Sequence, residues 1–348
     1  MKNQGNRIWV RLDQMSPGYF ALVMSTGIVS LACHFMGLAI LALVLFWMNV
    51  GFYLILWCLS LLRLTFSPRS VLKDLQSHSR GVGFFTVTAG TCILGSQCLI
   101  LLNTRGWGVA LWCLGVCLGV LLLYSVFSVL ITGPVKPTLP EGINGEWMLT
   151  TVSLQSMAIL TALVVSQFPA WQAELVFLSL GLFLVGVILY IVIITLIFYR
   201  LLFFPLEPAA FESSYWITAG ADAITSLAGI TLMANSHGSR LLELLRPFLL
   251  GLTILAWASA TCWLPLLIIL MTWRHAVRRL PMVYAPASWG MVFPLGMYTV
   301  CTWQLAGTIQ IAALQHLARG WLIIALSAWL FTFLGLLRSS LRTLSSPS

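Results

Sequence analysis

Ten long apolar segments constrain this chain more than any other feature of its sequence. A helix needs about 20 apolar residues to cross the hydrocarbon core of a bilayer. Segments of this kind fill most of the 348 residues, and the connections between them are short. The predicted spans are residues 17–35, 38–63, 82–103, 107–132, 147–168, 172–203, 214–235, 244–273, 286–308 and 318–338.

Charged residues are scarce and dispersed. They make up 8% of the chain, against about 25% in a typical soluble domain. Too few polar residues remain for a sizeable extramembrane domain. We therefore predict an all-α membrane protein with a single transmembrane domain at 16–338, a cytoplasmic N-terminal segment at 1–15 and a cytoplasmic C-terminal tail at 339–348. The net charge of +9 is spread over the loops, so we expect no nucleic-acid partner.

The basic residues are distributed unequally between the two sides of the predicted membrane. Fourteen of the 18 lysines and arginines fall on the side that holds both termini, and four fall on the other side. Cytoplasmic loops carry an excess of lysine and arginine. The pattern therefore predicts an even number of helices in a cell (inner) membrane, with both termini in the cytoplasm.

The ten segments form five hairpins that resemble one another. Each odd-numbered helix begins with an aromatic residue, followed within two turns by small or hydroxyl residues, whereas the even-numbered helices are rich in leucine, isoleucine, valine and phenylalanine. Small residues allow close backbone approach and leave room at an axis. We expect the odd-numbered helices to surround a central pore and the even-numbered ones to face lipid. The alternative is that the small residues serve only helix packing.

The chain lacks the motifs of an enzyme. It contains no serine-hydrolase elbow, phosphate-binding loop, zinc-protease helix or Cys-x-x-Cys pair. The eight cysteines lie within apolar segments, where cysteine behaves as a small hydrophobic residue. We therefore expect no catalytic residues, no cofactor and no metal. A membrane-embedded enzyme would need a cluster of histidine and acidic residues, which the pattern does not indicate.

The ninth segment carries an unusual motif, Phe293-Pro294 followed by Gly296. Proline within a helix removes one backbone hydrogen bond and clashes with the preceding turn. In lipid a freed carbonyl is costly unless protein or water satisfies it. We expect a kinked helix that is surrounded by protein or lines a cavity, with a large ring directed into a narrow path.

Three segments together resemble a known family. They are Ser16-Pro-Gly-Tyr-Phe-Ala-Leu-Val-Met-Ser-Thr-Gly27, Gly142-Ile-Asn-Gly-Glu-Trp-Met-Leu149 with Gln155-Ser156, and Trp289-Gly-Met-Val-Phe-Pro-Leu-Gly-Met-Tyr-Thr299. They resemble the tellurite-resistance/dicarboxylate transporter family, which includes bacterial TehA proteins, plant slow anion channels, fungal malate permeases and sulfite exporters. The resemblance implies five hairpins around a pore, a homotrimer with one pore per subunit, and occlusion of the pore by Phe293.

The other candidate site residues follow from the repeated helix starts and from the charges near them. Arg80, at the inner mouth of the third helix, is the candidate anion contact, because guanidinium suits bidentate carboxylate binding. The alternative is that it reports topology only. The candidate pore-lining residues are Phe20, Phe85, Trp147, Trp216, Gly27, Gly90, Ser153, Asp222 and Gly296.

Three ionisable residues have open roles. Asp222 lies well inside an odd-numbered helix, where a charge is costly. It either couples protons at the pore or bonds to hydroxyls of neighbouring helices, and we favour the second. Glu146 stands at the start of the fifth helix, where the helix dipole stabilises a carboxylate, so we expect it to cap the helix. His34 is expected to be an interface residue rather than a pH sensor.

We predict transport of small anions, with a malate-like dicarboxylate as the substrate and Phe293 as the occluding residue. The alternatives are a gated channel for chloride or nitrate and an exporter linked to sulfite or tellurite. The expected partners are the lipid bilayer, inorganic or organic anions, and two further copies of the chain.

Overall fold

The computed structural model describes residues 12–235 and 239–345, with side chains to residue 342. Most of the predicted N-terminal segment, including Lys2, Arg7 and Arg11, and the last three residues of the predicted tail lie outside this range. Ten long helices run through the described part of the chain. We number them α1 (Ala21–Phe35), α2 (Ala39–Phe66), α3 (Phe85–Leu102), α4 (Arg105–Thr132), α5 (Leu149–Val164), α6 (Gln172–Phe203), α7 (Ile217–Ala234), α8 (Arg240–Thr272), α9 (Trp289–Ile309) and α10 (Ala312–Ser345).

Each odd-numbered helix begins with one turn of 3₁₀ helix. These turns span Pro17–Phe20, Gly81–Phe84, Gly145–Met148, Ser213–Trp216 and Pro286–Ser288. They hold the aromatic residues that the sequence repeats at four of the five helix starts. Two short helices, Pro68–Leu75 and Leu139–Gly142, lie in the connections between hairpins. Within the described ranges the fold is helical, with no strand, as predicted for an all-α membrane protein.

Nine of these helices, among the residues that the structure describes, are long and apolar enough to cross a membrane. The tenth, α9, has 21 residues, but its tryptophan, threonine and glutamine residues lower its hydropathy. Fifteen of those residues are buried. A less apolar helix is tolerated there because protein surrounds it. The expectation of a proline-bearing helix enclosed by protein is therefore confirmed.

The odd-numbered helices form a closed inner ring. α1 contacts α3, α3 contacts α5, α5 contacts α7, α7 contacts α9, and α9 returns to α1. Each even-numbered helix lies against its own hairpin partner and against the next inner helix around the ring. Between 72% and 94% of residues are buried in the spans of α1, α3, α5 and α7, against 22% to 33% in the five outer spans. The predicted division into inner and outer helices is confirmed.

The last helix extends beyond its predicted span. α10 covers Ala312–Ser345, whereas the sequence predicts residues 318–338. Hydropathy does not detect the polar residues at the ends of a helix, although these residues continue its backbone hydrogen bonds. The first part of the predicted tail is therefore helical.

Candidate functional site

Two cavities lie within the ring. The one at the end that holds the 3₁₀ turns is called the inner cavity, and the one at the opposite end is called the outer cavity. The outer cavity has a volume of about 230 Å³ and is lined by residues of all five inner helices. A volume of this size holds several water molecules or one small anion. The lining includes Ile28, Leu31 and Phe35 of α1, Ile93, Ser96 and Ile100 of α3, Ser156, Ile159 and Leu163 of α5, Ile224, Leu227, Ile230, Thr231, Ala234 and Asn235 of or beside α7, and Met297, Val300 and Gln304 of α9.

The inner cavity is much smaller, at about 20 Å³, which is room for about one water molecule. All five inner helices or their 3₁₀ turns contribute to it as well. Its lining residues are Ser16, Gly18, Ala21, Thr86, Glu146, Leu149, Ser214, Ile217, Pro286, Ala287 and Gly290.

A constant spacing relates the two linings. In every inner helix a residue of the inner cavity is followed seven residues later by a residue of the outer cavity. The pairs are Ala21 and Ile28, Thr86 and Ile93, Leu149 and Ser156, Ile217 and Ile224, and Gly290 and Met297. Seven residues are nearly two helical turns, so both members of a pair face the same way. The layer between the cavities is therefore about 10 Å thick at 1.5 Å per residue.

Phe293 lies in this separating layer. It stands three residues after Gly290 of the inner cavity and four residues before Met297 of the outer one, on the same face of α9. Its side chain is 1% exposed. A Cβ atom added to Gly220 of α7 would lie 3.3 Å from Cδ1 of Phe293 and 2.8 Å from Cγ of Pro294. The absence of a side chain at residue 220 thus makes room for the Phe293-Pro294 pair.

Hydrogen bonding supports α9 near its proline. The Ser25 hydroxyl of α1 donates to the carbonyl oxygen of Trp289 at 2.9 Å. This carbonyl lies one residue before that of Gly290, which is the one that Pro294 leaves without its helical donor. A neighbouring inner helix therefore adds a hydrogen bond to the α9 backbone beside the turn that the proline disturbs.

The outer cavity contains no charged side chain among its described lining residues. Its hydroxyls are committed to their own helices: Ser96 donates to the Cys92 carbonyl, and Ser156 donates to the Val152 carbonyl. An anion entering this cavity would find few free donors.

The inner cavity differs because it contains a carboxylate, that of Glu146. The capping role predicted for Glu146 belongs to a different side chain: the Asn144 side-chain oxygen accepts the Glu146 backbone N–H at 3.0 Å. The cap begins one residue earlier than expected because Asn144 has the extended backbone of an N-cap position. The Glu146 side chain is thereby left to face the cavity.

His78 lies beside the same mouth, with its ring 6.4 Å from that of Trp147. Burial, and then the nearby positive charge of Lys136, lower the pKa of His78. The imidazole is therefore neutral at neutral pH, and it adds no positive charge at the inner mouth.

Arg80 stands at the inner mouth with a side chain 44% exposed. Its Nε lies 2.6 Å from Oδ1 of Asp74, while Arg63 holds Oδ2 of the same carboxylate at 2.6 Å. The Arg80 guanidinium also approaches the Met15 carbonyl at 3.4 Å. Arg80 therefore forms an ion pair with Asp74, and its role as an anion contact stays a prediction.

Asp222 lies between the inner ring and the outer helices rather than in either cavity. Its Oδ2 accepts a hydrogen bond from the Tyr190 hydroxyl of α6 at 2.5 Å, and that hydroxyl lies 3.5 Å from the Ser259 hydroxyl of α8. The carboxylate is 2% exposed. This arrangement corresponds to the hydroxyl-bonded alternative of the sequence analysis, with tyrosine as the principal partner.

The four candidate aromatic residues lie outside both cavity linings. Phe20 packs edge-on against Tyr53 and Trp57 of α2, and Phe85 packs against Phe127 of α4. In each case the ring anchors an inner helix to its outer partner.

The two candidate tryptophans are likewise embedded in protein. Trp147 donates its indole N–H to the Gly142 carbonyl at 2.8 Å. Trp216 is buried, and its indole N–H lacks a hydrogen-bond partner among the described residues. Neither ring lines the inner or the outer cavity.

The candidate glycines lie at helix contacts. An added Cβ at Gly27 would stand 2.6 Å from Ile93, one at Gly296 would stand 2.8 Å from Ile28, and one at Gly90 would stand 3.3 Å from Val23. Ser153 is buried, at the level of the layer that holds Phe293. The glycines thus provide the close packing of the ring, which was the alternative reading of the small residues. His34 packs edge-on against Phe35.

None of the residues that the sequence indicated as pore-lining candidates lines either cavity, and the orientation of Glu146 was not predicted. The seven-residue spacing between cavity-lining positions is a signal that could have indicated the pore face, but only with the five helix starts aligned on one another.

A ring of five helices, surrounded by five others and enclosing two cavities on one axis, defines a multi-pass membrane protein of the transporter and channel class. The fold and the sequence agree on a particular group within that class. The chain belongs to the voltage-dependent anion channel family, whose model matches residues 14–337. The family is named for a channel, and relatives include a transporter and an efflux pump, which agrees with the prediction of a transport protein rather than an enzyme.

Relatives cover different parts of the chain. A membrane protein of Mycobacterium tuberculosis is 32% identical over 151 residues, which is 43% of this chain and 75% of the relative. A transporter of Methanocaldococcus jannaschii is 23% identical over 84% of each chain. A sulfite efflux pump of Arthroderma otae is 24% identical over 93% of this chain and 90% of its own.

Proposed function

We propose that this protein moves small anions across the membrane along the axis of its inner ring, and that Phe293 blocks this path in the conformation described. The observation that carries the proposal is the pair of axial cavities separated by a layer about 10 Å thick in which Phe293 is buried. A buried ring between two cavities excludes water from the layer. An anion would have to shed its hydration there, which is costly without compensating partners.

Two substrate classes compete within this proposal. Sulfite is favoured by a sulfite efflux pump that matches 93% of the chain. A malate-like dicarboxylate is favoured by the resemblance of three motifs to a family that includes malate permeases. The outer cavity lacks a cationic side chain among its lining residues, and this favours the smaller, weakly held anion. Chloride and nitrate are the alternatives for a channel of broad selectivity.

The assembly and orientation belong to the same proposal. A homotrimer with one pore per subunit, a location in the cell inner membrane, and cytoplasmic termini stay predictions. They rest on the family resemblance and on the distribution of lysine and arginine. In this orientation the cavity with Glu146 faces the cytoplasm.

The test is anion flux into proteoliposomes that contain the full chain. Sulfite, malate, chloride and nitrate are compared with and without a pH gradient. Saturable, proton-dependent malate uptake indicates a coupled dicarboxylate carrier, and currents of chloride and nitrate indicate a channel. Sulfite flux without malate flux indicates the sulfite reading. Flux no greater than that of protein-free vesicles for every anion, in the native chain and in the Phe293→Ala variant, refutes the proposal.

A further inference from the structure

We propose that the Glu146 carboxylate is a charge selector at the inner mouth of the path, which admits monoanions and disfavours dianions. The inference rests on the proposed function and adds a determinant of substrate class to it. A free carboxylate on the axis of an anion path is unexpected, because it repels the substrate. We therefore look for a function of Glu146 that depends on this repulsion.

The first step is the location of the side chain. Glu146 lines the small inner cavity together with residues from all five inner helices, so this cavity lies on the axis of the ring. Glu146 precedes Leu149 of the same cavity by three residues, nearly one turn. An anion that enters from this mouth must pass the carboxylate before it reaches the layer of Phe293, and one that moves the other way must pass it after that layer.

The second step is the absence of a neutralising partner. Among the residues that the structure describes, none donates a hydrogen bond to this carboxylate, and the backbone N–H of Glu146 is capped by Asn144. The other polar groups of the cavity are the hydroxyls of Ser16, Thr86 and Ser214. The Thr86 hydroxyl donates to the Gly83 carbonyl at 2.7 Å, so it does not compensate the charge.

The third step is the charge of the surroundings. The charged side chains that act on Glu146 are Glu212, which precedes α7, and Arg80, which precedes α3. Arg80 and Arg63 share the single carboxylate of Asp74, so these three side chains together carry one net positive charge. Glu146 and Glu212 place two negative charges at the same mouth, so the positive cluster offsets them only in part.

Coulomb repulsion converts this arrangement into selectivity. At a given separation the interaction of the carboxylate with a dianion is twice that with a monoanion. The cavity holds about one water molecule, so an anion cannot be screened by a full hydration shell as it passes. The carboxylate therefore raises the energy barrier for dianions more than for monoanions, and the difference increases as the anion approaches Glu146.

The test measures nitrate and sulfate flux in proteoliposomes at pH 8.5, which favours the ionised form of Glu146, in the native chain and in the Phe293→Ala background. Glu146→Gln retains the size of the side chain and removes its charge. We expect the sulfate-to-nitrate flux ratio to rise at least fivefold, which corresponds to the repulsion between two unit charges about 4 Å apart in water. Glu146→Ala carries the same expectation, which keeps the test decisive if one variant folds poorly.

Two matched controls accompany these variants. Glu146→Asp retains the charge and should keep the ratio within twofold of the native value. Glu212→Gln removes an exposed carboxylate outside the cavity lining and should change the ratio less than Glu146→Gln does. An unchanged ratio in both neutral Glu146 variants, or an equal rise of nitrate and sulfate flux, overturns the charge selector while leaving anion transport intact. Absence of nitrate and sulfate flux in every variant overturns the proposed function and the inference with it.

Discussion

Replacing Phe293 with alanine should join the two axial cavities. The ring lies within a layer about 10 Å thick, and the positions around it include Gly220, which has no side chain to take its place. The cost of moving an isolated charge through a dry layer is many kcal/mol, so a continuous water path lowers the barrier greatly. A tenfold increase in flux needs a reduction of only about 1.4 kcal/mol in the barrier. We therefore expect nitrate flux to rise at least tenfold.

The measurement is initial nitrate flux per reconstituted protein, with the melting temperature of each variant recorded alongside. Phe85→Ala is the matched control, since Phe85 is also a buried phenylalanine of an inner helix but packs outward on Phe127. Each change should destabilise the fold by about 3–5 kcal/mol, because each deletes a buried ring. Only Phe293→Ala should raise flux. Native-level flux in Phe293→Ala at equal protein content, or an equal rise in both variants, would refute the assignment of the occluding ring.

Three further changes test the packing of the ring, the role of Asp222 and a buried ion pair. Gly27→Ala places a Cβ 2.6 Å from Ile93 and should lower stability by about 1–3 kcal/mol, whereas Gly51→Ala, with open space around it, should not; thermal melting in detergent distinguishes them. Asp222→Asn keeps a hydrogen-bond acceptor between the helices and should leave the pH dependence of flux unchanged, and loss of that dependence would assign proton coupling to the carboxylate. Arg63→Ala breaks a buried ion pair and should destabilise the fold by about 3 kcal/mol, and a melting temperature equal to the native one would contradict this.

Hydropathy and residue size are sufficient to predict the architecture. The outer helices need apolar residues wherever they meet lipid, and the inner helices need small residues where their backbones approach. Both requirements can be recognised directly in the sequence. The chain order of the hairpins then fixes which helix is inside. Even the exceptional helix α9 is explained, because a proline and several polar residues are acceptable only where protein encloses them.

The pore-facing side of each inner helix could not be predicted in the same way. Between 72% and 94% of residues are buried in four of these spans, so neither face is marked by exposure to lipid or to bulk water. An amphipathic pattern arises only when two sides of a helix meet different environments. Here one side meets neighbouring helices and the other meets a mostly apolar cavity, and the two select similar residues. The sequence therefore identified the helices of the pore but not their lining.

The repeat itself separates structural residues from functional ones. Aromatic residues recur at the helix starts because every hairpin must anchor its inner helix, as Phe20 does on Tyr53 and Phe85 on Phe127. A requirement common to all five copies is a requirement of packing. Phe293 and Glu146 are each present in a single copy, and we propose that each acts on the axis, where the five copies meet. In a ring of repeated helices, specialised function is therefore expected at axial positions where one copy departs from the others.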